Sequence, residues 1–277
     1  ASLADVIEVE GEGAERAGEA ARAFLDHHGV REGARVIVHR ALPSHAGLGS
    51  GTQLALAVAR ALAELCDIPA DAAALSRATR RAQRSAIGTW TFAGGGFVVE
   101  GGRRAGSDDV APLLARLPFP PSWRCIVAVP NAARGISGSA EASAFSSLPP
   151  PPERDVVRVA HLVLMGLLPA IAEGDLATFG GALTAVQEIT GRWFAQVQGG
   201  TFAPGPSEEL VRRLAEWGAL GVGQSSWGPA VYGIVDGETA ALRLAARVGA
   251  ALGAEGTVHE GPFRTEGARV WRGDSSS

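Results

Sequence analysis

The chain has 277 residues, of which 46% are hydrophobic and 19% are charged, which predicts a globular protein with a large core and excludes a disordered one. The formal net charge of −4 and the pI of about 5.9 exclude the positive field that holds a nucleic-acid backbone. All 25 basic residues are arginines, so Schiff-base, pyridoxal-phosphate and Walker-loop lysines are excluded. An anionic ligand must therefore be bound by arginine, by backbone N–H groups or by a metal ion.

The cysteines and the hydropathy pattern give further exclusions. Cys66 and Cys125 have no partner at metal-ligand spacing, and the histidines show no such spacing either, so we expect reduced cysteines and no zinc site. No uninterrupted apolar stretch reaches the roughly 20 residues that span a bilayer, and the first residues lack a basic segment followed by an apolar one. We expect a cytoplasmic protein that binds neither membranes nor nucleic acid.

The first half of the chain predicts a strand, a glycine loop and a buried helix in succession. Residues 36–40 alternate as a strand, residues 43–51 have loop composition, and residues 52–65 form an almost unbroken apolar helix pattern. The next predicted elements are a helix from about 70 to 84, a glycine turn at 94–96, and strands at 97–99 and 125–129.

The proline run at 149–152 is the predicted boundary between two subdomains, residues 1–148 and residues 149–277. Most of the segments beyond it have helical patterns. Helices are predicted near 155–172, 175–190, 207–217 and 238–251, a glycine loop at 221–229, and strands at 230–235, 257–260 and 268–271. This mixture of helices and strands indicates an α+β fold.

The loop around Gly47 has the features of a phosphate site. Gly47, Gly49 and Gly51 lead directly into a long helix, so unpaired backbone N–H groups and the positive end of a helix dipole converge there. Glycine lets the backbone approach an anion, and the hydroxyl groups of Ser50 and Thr52 can donate hydrogen bonds. The alternative for the same residues is a capped helix that follows a tight turn.

This loop and three later motifs resemble a known family. The run Pro43-Ser44-His45-Ala46-Gly47-Leu48-Gly49-Ser50-Gly51-Thr52 is similar to the second motif of the GHMP superfamily of galactokinase, homoserine kinase, mevalonate kinase and phosphomevalonate kinase. Residues 84–97, 198–202 and 223–229 then resemble the β-ribofuranosylaminobenzene 5'-phosphate synthases, a non-kinase branch of that fold. The resemblance extends from about Glu8 to the end of the chain.

The resemblance implies a fold, a reaction and an assembly. The fold is a GHMP-kinase-type α+β fold of two subdomains, with the active site in a cleft between the loops at Gly47 and Gly223. The reaction joins phosphoribosyl pyrophosphate to 4-aminobenzoate or 4-hydroxybenzoate at the ring carbon that bears the carboxylate, with release of carbon dioxide and pyrophosphate, in methanopterin biosynthesis. Mg²⁺ is expected with the pyrophosphate, an organic cofactor is not expected, and a homodimer is expected.

One feature of the sequence counts against a kinase. No aspartate or glutamate occurs from Ala72 to Val99, the segment in which, by the resemblance, GHMP kinases often place a catalytic aspartate. A base that takes a proton from a substrate hydroxyl must be a titratable group within reach, and this segment supplies none. The alternatives that stay open are an ATP-dependent kinase on the same fold and a non-catalytic ligand-binding relative.

The candidate catalytic residues are Arg84, as a fork for phosphate or carboxylate, and Glu188, as a ligand for Mg²⁺ or a partner for the acceptor's amine. Trp90 and Trp227 are expected to sandwich the benzoate ring. The other candidate phosphate- and substrate-binding residues are His45, Gly47, Gly49, Ser50, Gly51, Thr52, Ser85, Gly88, Thr89, Arg134, Gln187, Gln198, Gln224, Ser225 and Ser226. Packing or solvated roles are the alternatives, and for Arg77, Arg80 and Arg81 a solvated role is the prediction.

Family members begin with a strand and a polar loop, rich in arginine and acidic residues, ahead of the region that matches Glu8. The sequence starts at Ala1 without that segment. Catalytic groups from it cannot be carried over, so the set of candidate residues is incomplete and the activity of this chain is itself in question.

Overall fold

The computed structural model describes residues 1–44, 46–104, 106–107, 109–131 and 138–273. The chain forms two compact units. The first unit contains Ala1–Leu42, Gly49–Pro118 and the C-terminal segment from Arg264, and the second contains Pro43–Leu48 and Phe119–Phe263. The division therefore falls at Pro118, whereas the sequence pattern placed it at the proline run. The strand that begins at Trp123 pairs with strands from the end of the chain, which explains why it belongs to the second unit.

The first unit begins with a three-stranded sheet and a helix that joins two of its strands. Strand β1 (Ser2–Ala4) pairs antiparallel and β2 (Glu8–Gly11) pairs parallel with β3 (Gly33–Val38), in the order β1-β3-β2. Helix α1 (Ala14–His28) connects β2 to β3, as a parallel pair requires. Its apolar face, which includes the fully buried Phe24, packs on helix α2.

The rest of the first unit is helical with one further hairpin. Its helices are α2 (Ser50–Leu65), α3 (Ala72–Ala78) and α4 (Ile87–Gly94), and β4 (Phe97–Glu100) pairs antiparallel with β5 (Leu113–Leu117). Leu56 and Leu62 of α2 are fully buried, in agreement with the predicted buried helix. Burial of one such leucine stabilises a fold by roughly 1.5–3 kcal/mol.

Two sequence predictions in this unit were wrong. The helix predicted over 70–84 spans only Ala72–Ala78, because the backbone turns into positive φ at Arg80 and Ala82, at 54° and 58°. The glycine turn predicted at 94–96 begins one residue later than predicted, because Gly94 is the last residue of α4 (Ile87–Gly94).

The second unit contains a four-stranded antiparallel sheet in the order β7-β8-β6-β9. Its strands are β6 (Trp123–Pro130), β7 (Leu220–Gln224), β8 (Val231–Asp236) and β9 (Gly256–Pro262). Its helices are α5 (Gly138–Ser147), α6 (Glu153–His161), α7 (Leu168–Glu173), α8 (Leu176–Gln198), α9 (Pro206–Glu216) and α10 (Glu238–Leu252), and the turn between α6 and α7 is π-helical over Leu162–Leu167. Its core includes the fully buried residues Ile126, Leu214, Val231 and Val248.

Helix α8 illustrates how local sequence sets the limits of a helix. The Asp175 carboxylate accepts the backbone N–H of Thr178 at 3.0 Å, which caps the first turn. The helix ends at Gly199, whose φ of 91° is in the left-handed region. It is longer than the helix predicted at 175–190, because Gly191 does not break it. A side chain at Gly191 would overlap the backbone of Thr201, so this glycine permits a close approach within the second unit.

Among the described residues, one continuous helix, Glu153–Glu173, is long and apolar enough to span a membrane by length and composition. Core helices of soluble proteins meet the same criterion. Leu162, Leu167 and Ile171 of this helix are buried, so one face contributes to the core of the second unit. Leu164 and Met165 are each 63% exposed.

Candidate functional site

The start of α2 presents backbone donors at the position that the sequence predicts. Gly49 caps the helix with a φ of 68°, and its carbonyl accepts the N–H groups of Thr52 and Gln53, both at 3.0 Å. The N–H groups of Ser50 and Gly51 have no acceptor within the helix, because the first turn has no preceding carbonyl to offer them. A Cβ at Gly49 would meet no atom within 4 Å, so this glycine leaves open space in front of the helix.

Gly47 serves a different purpose from Gly49. A side chain at Gly47, whose φ is 84°, would overlap the carbonyl oxygen of Ser225, and one at Gly228 would overlap the backbone of Ala46. The Ser225 hydroxyl donates to the carbonyl of Gly47 at 2.8 Å, and the Ala230 N–H donates to that of Ala46 at 3.2 Å. The loops that sequence analysis placed on two sides of a cleft are thus in contact here, within the second unit.

The segment that contains Ser85 and Gly88 lies beside the start of α2. The Gln53 side chain donates to the carbonyl of Gly88 at 2.9 Å, and a Cβ at Gly88 would lie 3.1 Å from the Thr52 side chain. The structure therefore brings Gly88, Thr52 and the first turn of α2 together. Arg84 and Ser85 are exposed in the loop that precedes α4, so Arg84 does not lie at a helix end.

Thr89 and Trp90 are engaged within the protein. The Thr89 hydroxyl is fully buried and bonds the Ser76 hydroxyl at 2.7 Å. The indole N–H of Trp90 donates to the carbonyl of Ala111 at 2.8 Å, and its ring packs against Ala82 and Ala86. These contacts favour a packing role for both residues, which is the alternative to ligand binding that the sequence left open.

Glu100 is a carboxylate near this segment that no sequence pattern singles out. The stretch without acidic residues ends at Val99, and β4 brings the next residue back to the start of α4. The Glu100 carboxylate accepts hydrogen bonds from the Ala86 N–H and from the Ser85 hydroxyl. Burial raises the pKa of Glu100 above its ordinary value, against the opposing effect of those two hydrogen bonds. Only the strand pairing, which is not visible in the local sequence, reveals this contact.

Three glutamines from the candidate set form one hydrogen-bonded network in the second unit. Gln224 is 6% exposed; its side-chain oxygen accepts the Ala203 N–H at 2.6 Å, and its amide donates to Gln198 at 3.2 Å. Its backbone N–H donates to the side chain of Gln187 at 3.2 Å. These bonds position the turn that contains Ser225 and Ser226, so the contacts support a bracing role for Gln187, Gln198 and Gln224.

Trp227 also has protein partners. Its ring is 6% exposed and lies 4.5 Å from the Phe194 ring and 5.6 Å from the Phe145 ring, between centroids. These contacts favour packing over stacking on a substrate, so the predicted ring sandwich stays a prediction without support from geometry. Glu188 is exposed on α8, and Ser226 is exposed with a φ of 54°, a strained conformation for a residue other than glycine.

The remaining candidates divide into three groups. His45 and Arg134 lie outside the described residues. Arg77 and Arg80 are exposed, as expected for solvated arginines. Arg81 is not solvated in that way, because its side chain is partly buried against the start of α2. No group of three or more His, Cys, Asp or Glu side chains that could hold a metal ion occurs in the described ranges.

Comparison with known proteins gives consistent results. Residues 15–115 match the GHMP kinases N terminal domain and residues 167–254 match the GHMP kinases C terminal domain. The chain is 38% identical to the β-ribofuranosylphenol 5'-phosphate synthase of Methanothermobacter thermautotrophicus, over 79% of this chain and 68% of that protein. It is 34% identical to the protein of the same name from Archaeoglobus fulgidus, over 78% of this chain and 69% of that protein.

Solved structures agree on the fold. A homoserine kinase from Cytophaga hutchinsonii superposes with a TM-score of 0.70 at 18% identity, over 96% of this chain and 85% of that one. The L. major mevalonate kinase superposes with a TM-score of 0.66 at 16% identity, over 96% and 85% of the two chains. At these identities the likeness shows the GHMP-kinase-type α+β fold and carries no conclusion on substrate.

Proposed function

Because the chain belongs to the β-ribofuranosylphenol 5'-phosphate synthase family of the GHMP fold, we propose that it transfers ribose 5-phosphate from phosphoribosyl pyrophosphate to a 4-substituted benzoate. Carbon dioxide and pyrophosphate are the other products, and the reaction belongs to methanopterin biosynthesis. The observation that carries this proposal is the 38% identity over 79% of this chain and 68% of the relative. The alignment includes most of both proteins, so the match is not confined to one motif.

The reaction sets two requirements for the site. The ring carbon that bears the carboxylate attacks the anomeric carbon while the bond to the pyrophosphate oxygen breaks, and the electron pair of the carboxylate bond then restores the aromatic ring as carbon dioxide leaves. The leaving pyrophosphate gains negative charge, so fixed positive groups must face it. The N–H groups of Ser50 and Gly51 at the start of α2 have no acceptor within the helix, which supports binding of a phosphate group there.

The names of the relatives favour one acceptor over the other. A ribofuranosylphenol product carries a hydroxyl group opposite the new bond, so the acceptor that yields it is 4-hydroxybenzoate. We therefore propose 4-hydroxybenzoate as the acceptor of this chain. Product formation from equal concentrations of 4-hydroxybenzoate and 4-aminobenzoate, resolved by chromatography, tests this choice, and a preference for the amine would overturn it.

We propose that Mg²⁺ binds together with phosphoribosyl pyrophosphate. The described residues supply no cluster of three or more acidic, histidine or cysteine ligands, whereas pyrophosphate oxygens are good ligands for Mg²⁺. The ion would therefore be bound mainly through the substrate. It would neutralise part of the charge on the leaving group, and the protein would supply arginine and backbone N–H groups around it.

The second candidate function is phosphoryl transfer from ATP. The solved structures of similar fold include kinases, and the start of α2 would suit nucleotide phosphates. Against it stands the segment around Gly88, from Ala72 to Val99, which contains no aspartate or glutamate. The carboxylate that β4 brings to this segment, Glu100, accepts hydrogen bonds from Ala86 and Ser85. A non-catalytic binding protein is the third candidate, and it would bind one of these ligands without turnover.

Thermal stability of the purified chain separates these candidates. A ligand that binds only the native state raises the melting temperature by mass action. We expect an increase with phosphoribosyl pyrophosphate and Mg²⁺ but not with ATP and Mg²⁺. The reverse result would support the kinase. Stabilisation by the donor without release of carbon dioxide from carboxyl-labelled benzoate would support the binding protein.

We also infer a cytoplasmic homodimer. The net charge of −4 argues against binding to anionic lipid or nucleic acid. The apolar side chains of Val157, Leu164 and Met165 are each more than 60% exposed on one helix, and a second copy of the chain would cover them. Light scattering should give the mass of a dimer for the wild type and of a monomer for Leu164→Glu, and a monomeric wild type would overturn this inference.

A further inference from the structure

Two arginines from different elements lie over the first turn of α2. Arg16 belongs to α1, and Arg81 follows α3. A Cβ placed on Gly51 would lie 3.6 Å from Nη1 of Arg81 and 3.9 Å from Nη1 of Arg16. Both guanidinium groups therefore border the same short stretch of backbone, whose N–H groups have no acceptor within the helix.

The environment of Arg81 is unfavourable for a positive charge. Its Nε atom is buried and has no hydrogen-bond partner. Burial lowers the pKa of Arg81, the neighbouring charge of Arg16 lowers it further, and Glu19 partly opposes both effects. Within the described part of the chain, neither Arg16 nor Arg81 forms an ion pair with a carboxylate. Burying part of a cationic side chain whose Nε has no hydrogen-bond partner destabilises a fold, and a bound anion would offset that cost.

An anion bound at this position would remove that cost. It would accept hydrogen bonds from two guanidinium groups and from backbone N–H groups at the positive end of a helix dipole. The chain contains no lysine, so arginine is the only permanently charged side chain that can fill this role. Arg77 and Arg80, which are close in sequence to Arg81, are exposed and have no comparable position.

We propose that Arg16 and Arg81, with the N–H groups of Ser50 and Gly51, bind a phosphate or diphosphate group of the sugar-phosphate substrate. The identity of the substrate rests on the proposed function, whereas the class of anion rests on the geometry alone. The two arginines are binding residues that hold the anion while the leaving pyrophosphate gains negative charge. Gly51 leaves space for the anion.

Isothermal titration calorimetry of the whole chain tests the proposal with two probes, inorganic pyrophosphate and ribose 5-phosphate, each with Mg²⁺. Arg16→Gln and Arg81→Gln should each weaken at least one probe about tenfold or more, since each removes a charge-assisted hydrogen bond to the anion. The matched controls Arg77→Gln and Arg80→Gln should weaken neither probe more than about twofold. Loss confined to pyrophosphate assigns the site to the diphosphate, and loss confined to ribose 5-phosphate assigns it to the 5-phosphate.

Equal effects in the two pairs of variants, or no effect of Arg16→Gln and Arg81→Gln on either probe, would overturn the proposal. If Arg81→Gln fails to fold, the binding data for Arg16→Gln alone test the proposal. Arg16 lies on α1, and glutamine at that position preserves the helix. Turnover separates this result from the proposed function. A wild type that is active, with variants that bind both probes as tightly as it does, refutes the arginine site only. A wild type that is inactive, with variants that bind the probes more weakly, refutes the ribosyl transfer only.

Discussion

Two glycine-rich regions of this protein look alike in sequence and differ in structure. At the start of α2 the N–H groups of Ser50 and Gly51 have no acceptor within the helix, and there is open space in front of Gly49. The turn around Ser225 and Gly228 in the second unit is filled by backbone and glutamine contacts. Glycine thus leaves open space in the first region and permits tight packing in the second. The N–H groups that have no acceptor within the helix, rather than the glycines, distinguish the region for which we propose anion binding.

The largest expected effect comes from exchanging glycine for alanine in the two regions. Gly47→Ala should destabilise the fold by about 1–3 kcal/mol more than Gly49→Ala, because both need positive φ but only the methyl group at position 47 would overlap backbone atoms. Urea unfolding of both variants measures the difference. Equal losses of stability would show that the contact between Gly47 and Ser225 is not tight.

The next effect tests the glutamine network of the second region. Gln224→Ala should cost about 1–3 kcal/mol, because the partly buried N–H of Ala203 loses its acceptor. The control is Gln83→Ala at an exposed position, where we expect less than about 0.5 kcal/mol. A stable Gln224→Ala variant with weakened substrate binding would instead return Gln224 to the set of ligand-binding residues.

Glu100 should give a smaller effect that depends on pH. Burial raises the pKa of Glu100 above 4.5, so folding favours the protonated form. The stabilising contribution of Glu100 is present below pH 4.5 and is lost as the pH rises through the pKa of Glu100 in the folded protein. Relative to Glu100→Gln, the wild type should therefore lose melting temperature as the pH rises above 4.5. A constant difference across this range would contradict the assignment.

The smallest effect on stability is expected at Glu188, which is exposed on α8. Glu188→Ala should change the free energy of unfolding by less than about 0.5 kcal/mol. If the proposed role toward Mg²⁺ or the acceptor holds, kcat/KM should fall while the melting temperature stays the same. An unchanged kcat/KM would remove Glu188 from the candidate catalytic residues.

Local sequence was sufficient for the features that depend on neighbours along the chain. The glycine loop, the buried helix after it and the strand around Ile126 follow from spacing and periodicity, and the motifs that resemble the synthases led to the family that the comparisons show. The sites of close packing could not be predicted from the local sequence. Gln187 and Gln224 are 37 residues apart in sequence, so their hydrogen bond depends on how α8 packs on β7.

Arg81 is a second residue whose position could not be predicted from the local sequence. Its sequence neighbours Arg77 and Arg80 suggested one solvated basic face, because helical periodicity extends past Ala78 in the sequence. The helix ends there in the structure, and the positive φ angles of Arg80 and Ala82 turn the chain so that Arg81 lies over Gly51. Which of several adjacent arginines is buried depends on that turn, and no local pattern specifies it.

The most direct test of the central claim is the release of carbon dioxide by the purified chain. Carboxyl-labelled 4-hydroxybenzoate would be incubated with phosphoribosyl pyrophosphate and Mg²⁺, with ATP in place of the donor as the control. The account predicts labelled carbon dioxide and an equal amount of pyrophosphate with the ribosyl donor, and neither product with ATP. Binding of the donor without any labelled carbon dioxide would contradict it.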